Sequence, residues 1–185
     1  VVGVLDKKNF LRYDQSQRLL LPLDLEDFVH GSHPARLISN IVDMLNLSCI
    51  MDTYSVEGRP AYHPRMLFKV LLYAYSNGVV SSREIEDRLN SDTAFMYLAE
   101  LQKPDYRTIC RFRTERLGDL QHVFDQVVRL CMEMGLTDLG LICIDGTKLK
   151  ANASKKQTRD MAGVQAEIDR ILRESIRTDM VEDRE

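Results

Sequence analysis

From residue 32 onward, apolar positions recur at three- and four-residue spacing between short polar breaks, the period of helices that bury one face. Leu37, Ile38, Ile41, Val42 and Leu45 mark the first such helix, with Pro34 in its first turn. Leu67, Phe68, Val70, Leu71, Leu72 and Tyr75 mark a second, opened by Pro64 and stopped by Asn77-Gly78. Its broad apolar surface makes it the expected central helix. Ser81-Ser-Arg-Glu84 has the form of a capping box and predicts a short helix carrying Ile85 and Leu89, with another over residues 93–98. Asp105 is placed as the N-cap of a helix with Ile109, Phe112 and Arg116-Leu117 on one face and Arg107, Arg111 and Arg113 on the other. Gly118 should interrupt it, and a longer helix should follow from about Leu120 to Met134, ended by Gly135.

The period then changes. Residues 139–144 form a short apolar run ending in Asp145-Gly146, which predicts a strand, and residues 147–151 predict a second strand pairing back onto it. Past Ser154 the chain is charged, but Met161, Val164, Ile168, Leu172 and Ile176 keep helical spacing. So narrow a stripe suits a helical hairpin or coiled coil whose partner lies outside this chain. Residues 1–31 show no long period and read as an extended arm with short turns. The expected units are therefore the arm at 1–31, a helical domain at 32–135, a first β-hairpin at 136–154 and a charged helical tail at 155–185. A mainly α chain of this order should leave a soluble core when cut near Gly135, since the open strand edges lie beyond that point.

Composition narrows the function classes. At 185 residues there is room for one domain, or one and part of another, and 44% hydrophobic with 29% charged residues is a globular composition. The run Val70-Leu-Leu-Tyr73 is too short to span a membrane and no signal peptide is visible, so the expected location is cytoplasmic without membrane contact. A formal net charge of -3 means that any nucleic-acid contact must come from a local basic patch. Two are present: Lys103, Arg107, Arg111, Arg113 and Arg116 on one predicted helix, and Lys148, Lys150, Lys155, Lys156 and Arg159 after Asp145. Either could track phosphates, and the first could also meet base edges; on composition alone a solvated face paired with Asp105, Glu115 and Asp119 is the better reading of the first. Cys49, Cys110, Cys131 and Cys143 lie too far apart for a zinc clip or a disulfide framework, and His30, His33, His63 and His122 lack completing ligands, which leaves them structural or capping roles.

Asp145, at the end of an apolar strand, is a candidate ligand for a divalent cation, though Asp-Gly is also a strong hairpin turn signal, and spacing alone favours the turn. The order of several motifs weighs on that choice. His33-Pro-Ala-Arg-Leu-Ile38, Gly58-Arg-Pro-Ala-Tyr-His-Pro64, Ser81-Ser-Arg-Glu-Ile-Glu86 and Lys103-Pro-Asp-Tyr-Arg-Thr-Ile-Cys-Arg-Phe-Arg113 resemble, in sequence, the helical N-terminal domain of bacterial insertion-sequence transposases of the DDE type. Ile144-Asp-Gly-Thr-Lys-Leu-Lys-Ala-Asn-Ala-Ser154 resembles the opening strands of their ribonuclease H-like catalytic domain.

The resemblance implies that Asp145 is the first of three acids holding two magnesium ions for DNA strand cleavage and transfer. It also implies that the helical domain holds double-stranded DNA at the element's terminal repeats, with Arg107, Arg111 and Arg113, and then Lys148 and Lys150, as candidate contacts. The charged tail resembles a helical insertion that some members place after the first strands. The remaining acids, among them Asp160, Glu167, Asp169 and Glu174, fall in that tail and not on a neighbouring strand, so this chain is expected to have no nuclease activity by itself. The alternatives are a binding-only or inhibitory module that pairs with intact transposase or with itself through the tail, and a helical protein-interaction domain with no DNA role.

Overall fold

The computed structural model describes residues 24–54, 61–134 and 161–184, and these are helical, with no strand among the described residues. Two His-Pro dipeptides open two of the main helices in the same way. Helix α1 (Pro34–Met44) starts where His33 Nδ1 accepts the Ala35 amide at 3.2 Å, and α3 (Pro64–Ser76) where His63 Nδ1 accepts the Arg65 amide at 3.1 Å. The two lie against each other, and Arg65 closes the far end of α1 by donating to the Val42 and Leu45 carbonyls. As its broad apolar surface predicts, α3 is the centre of the core, buried without a break from Val70 to Tyr75. Phe124 sits edge-on to Phe68 at 5.1 Å between ring centroids, and Tyr73 to Phe95 at 5.0 Å. Gly78, with φ 72, supplies the left-handed residue that ends α3.

Short elements escape the periodicity. A 3-10 helix at Leu25–Phe28, capped reciprocally by Asp24 and Asp27, folds the end of the expected arm back onto α1, where Arg36 donates to the Val29 carbonyl and pairs with Glu26. A single turn, α2 (Ser48–Met51), follows α1. Next come α4 (Ser82–Ser91), α5 (Thr93–Leu98), α6 (Tyr106–Glu115) and α7 (Leu117–Glu133). Ser81 caps α4 as expected, but the Glu84 carboxylate turns to Arg88 at 3.0 Å. The break between α6 and α7 falls at Arg116, with φ -115 and ψ 19, and not at Gly118, which lies inside the first turn of α7.

The largest departure from the sequence reading concerns the charged tail. Helix α8 (Met161–Glu182) does form, but its partner is the helical domain itself. Ile168, Ile171 and Leu172 join the core, and α8 packs on α4, α6 and α7. Each such side chain, fully buried, contributes about 1.5–3 kcal/mol. A cut near Gly135 would therefore remove these three core side chains along with the expected strand edges. The β-hairpin expected at 136–154 lies outside the described residues. No helix among the described residues is long and apolar enough to cross a membrane.

Candidate nucleic-acid interface

Helix α6 is held at its start by two carboxylates. Asp105 Oδ1 accepts the Thr108 amide at 2.8 Å, and Glu86 Oε2, reaching from α4, accepts the Tyr106 amide at 3.1 Å. The hydrogen bonds from Thr108, side chain first and then backbone, hold the Asp105 carboxyl below the ordinary aspartate range. Ahead of α6 the chain reverses through Glu100 and Leu101, both left-handed at φ 51 and φ 59, and the Lys103 carbonyl accepts from the Tyr62 hydroxyl at 3.1 Å. These contacts fix which way α6 faces.

Ile109, Phe112 and Arg113 point inward, while Arg107 and Arg111, one turn apart, point outward. Both outward arginines are exposed, and neither forms an ion pair with a carboxylate among the described residues. Aromatic rings flank the row at each end. The Arg107 guanidinium lies 5.7 Å from the Tyr106 ring centroid, with Nε donating to the Tyr106 hydroxyl at 3.2 Å, and the Arg116 guanidinium lies 5.5 Å from the ring of Tyr54. Burial pushes the Tyr54 hydroxyl pKa up, with Arg116 and Arg111 opposing it, so the phenol stays neutral beside these cations. Lys103 is exposed in the preceding loop.

Arg113 corrects the sequence grouping. It follows Ile109 by four residues and Phe112 by one, so it belongs to the buried face, and its side chain is only 1% exposed. There it pairs with Asp179 of α8 and donates to Ser82 Oγ, to the Val80 carbonyl and to the Tyr75 hydroxyl. It has no surface to offer a phosphate. The neighbouring Cys110 thiol is pushed up to about 11, by burial first and then by Asp179, so it is protonated at neutral pH.

Asp145, Lys148 and Lys150 lie outside the described residues. Among the described residues, no group of three or more histidine, cysteine, aspartate or glutamate side chains is arranged to hold a metal ion. The sequence reading missed Arg83, whose guanidinium stacks 4.1 Å from the Tyr106 ring centroid beside Arg107. Its signal was hidden inside Ser81-Ser-Arg-Glu84, a stretch that accounts for itself as a helix cap.

Fold and surface together define a helical domain that turns one basic, aromatic-flanked helix outward. The family described as Transposase domain (DUF772) matches residues 23–115, just over half of the 185-residue chain, and the chain belongs to that family. The match runs from the 3-10 helix to the last residue of α6. No curated protein and no solved structure matches the chain.

Proposed function

We propose that this chain is the DNA-holding part of a DDE-type insertion-sequence transposase, and that the outward face of α6 meets the backbone of duplex DNA. The carrying observation is that Arg107 and Arg111 share one exposed row, without carboxylate partners among the described residues, inside the region that matches the transposase family. An unpaired guanidinium one helical turn from another suits successive phosphate contacts. The order α4, short α5, outward α6 also supports docking of α6 in a major groove, as in helix-turn-helix modules. The α8 stripe is occupied within the chain, so pairing with a second copy or an intact transposase through that stripe has less support.

By the resemblance, residues 136–154 begin a ribonuclease H-like catalytic domain in which Asp145 is the first magnesium ligand. Among the described residues, which do not include Asp145, no three histidine, cysteine, aspartate or glutamate side chains are grouped to hold a metal ion. One carboxylate cannot hold two metal ions, and the purified chain is expected to bind DNA without cutting it. Magnesium-dependent cleavage by this chain would refute that part.

Binding is tested by fluorescence anisotropy with a labelled duplex over a range of salt concentrations. Each phosphate contact contributes about 0.9 to the slope of log K against log salt, so Arg107→Ala with Arg111→Ala should lower both the affinity and the slope, the latter by about 2. A wild-type chain without salt-dependent affinity would favour a protein-interaction domain instead, and a double variant that binds as the wild type does would refute α6 as the DNA-contacting face.

A further inference from the structure

Arg83 sits in the first turn of α4, yet its guanidinium is fixed on the first residue of α6. The Tyr106 ring carries Arg83 at 4.1 Å and Arg107 at 5.7 Å, so one aromatic plate holds two cations from two helices. Tyr106 is itself tied to α4 through Glu86. Guanidiniums held in place by stacking lose less rotamer freedom on binding an anion than free ones do. The two differ in one respect. Arg107 has no carboxylate partner among the described residues, whereas Arg83 Nη2 lies 2.9 Å from Asp183 Oδ1 and its Nε 3.8 Å from Glu182 Oε2, both at the end of α8.

The Asp183 pair is exposed on both sides, at 43% for the Arg83 side chain and 55% for Asp183, while Glu182 is partly buried at 30%. Exposed pairs are weak and screened, so a polyanion can replace them without disturbing the core. Glu182 would keep a partner after such an exchange, because Ser81 Oγ donates to its Oε2 at 2.8 Å. Resting on the DNA-binding reading above, we propose that Arg83 is a further DNA-backbone contact, and that Asp183 with Glu182 are its resident counter-ions, displaced when a phosphate arrives. The acidic end of α8 would then set the strength of DNA binding by α6 without itself touching DNA.

A double-mutant cycle on the full chain separates this from a general charge effect, using anisotropy with a labelled duplex of mixed sequence. Asp183→Asn should tighten binding about two- to fivefold and steepen the salt slope, because Arg83 no longer has to exchange a partner. Arg83→Ala should weaken binding, and in that background Asp183→Asn should give a clearly smaller gain than in the wild type, the remainder coming from the weaker pull of Asp183 on Arg107. Circular dichroism melts check that each variant keeps its fold. Equal gains from Asp183→Asn with and without Arg83, or no gain in either, would overturn the proposal while leaving binding through Arg107 and Arg111 intact. Loss of all dependence on Arg107 and Arg111 would instead overturn the parent reading, and this proposal with it.

Discussion

Replacing Asp179 by alanine removes the anion at the centre of the contact between α8 and the helical domain. The carboxylate is 6% exposed and the Arg113 side chain it pairs with 1% exposed, so water does not replace the lost partner. Asp179 also accepts the Ser82 amide at 2.9 Å and the Ser82 hydroxyl at 2.8 Å, and the variant strands these donors as well. Breaking a buried pair from one side costs about 3–5 kcal/mol, against a total of about 5–15 kcal/mol for a typical domain. The expected loss is therefore a large fraction of the stability, or about 6–20 °C in Tm for a chain of this size. Asp179→Asn keeps an acceptor for Ser82 and should lose less, about 1.5–3 kcal/mol. Arg113→Met with Asp179→Leu removes both charges and should recover part of the loss, leaving the Ser82 amide and hydroxyl and the Val80 carbonyl without these partners, at about 1–3 kcal/mol. Since the chain has no tryptophan, urea unfolding followed by far-ultraviolet circular dichroism is the suitable assay, read as a shift in midpoint at constant slope. A cost below about 1 kcal/mol for Asp179→Ala, the value of an exposed pair, would refute the buried clasp.

Two further outcomes follow from local geometry. Glu100 is exposed and left-handed at φ 51, a conformation that costs an ordinary residue about 1–2 kcal/mol, so Glu100→Gly should gain about 0.5–1 kcal/mol once glycine's own entropy is set against it. Calorimetry showing a lower Tm would mean that the Glu100 side chain contributes something its contacts do not reveal. Loss of the α6 cap in Asp105→Ala should cost about 1 kcal/mol at neutral pH. The folded pKa of Asp105 is depressed, so the charged part of that stabilisation is present above the ordinary aspartate value of about 3.9 and disappears as pH falls through the lower folded value. The gap between wild type and variant should accordingly narrow in acid, and a gap that widens there would contradict the assignment.

What was legible in the chain was what a few neighbouring residues decide. The caps of α1, α3, α4 and α6 each depend on a side chain two or three residues from the amide it accepts, and the core face of α3 depends on spacing alone. Legibility failed where a contact joins distant parts of the chain: Arg113 with Asp179, Ser82 with Asp179, Tyr75 with Ser175, and Arg83 with Tyr106. Even there the sequence carries a sign of the contact. Arg113 lies four residues past Ile109 and beside Phe112 on the inward face of α6, and Ser175 and Asp179 continue the stripe of Ile168 and Leu172 on α8 by three- and four-residue steps. A charge in an apolar register cannot be buried alone. One helix therefore required a buried anion and another a buried cation, and satisfying both within one chain brings α8 onto α6. Helical register alone likewise separates Arg113 from Arg107 and Arg111, because only the outward pair lies off the apolar stripe and is free to meet a phosphate.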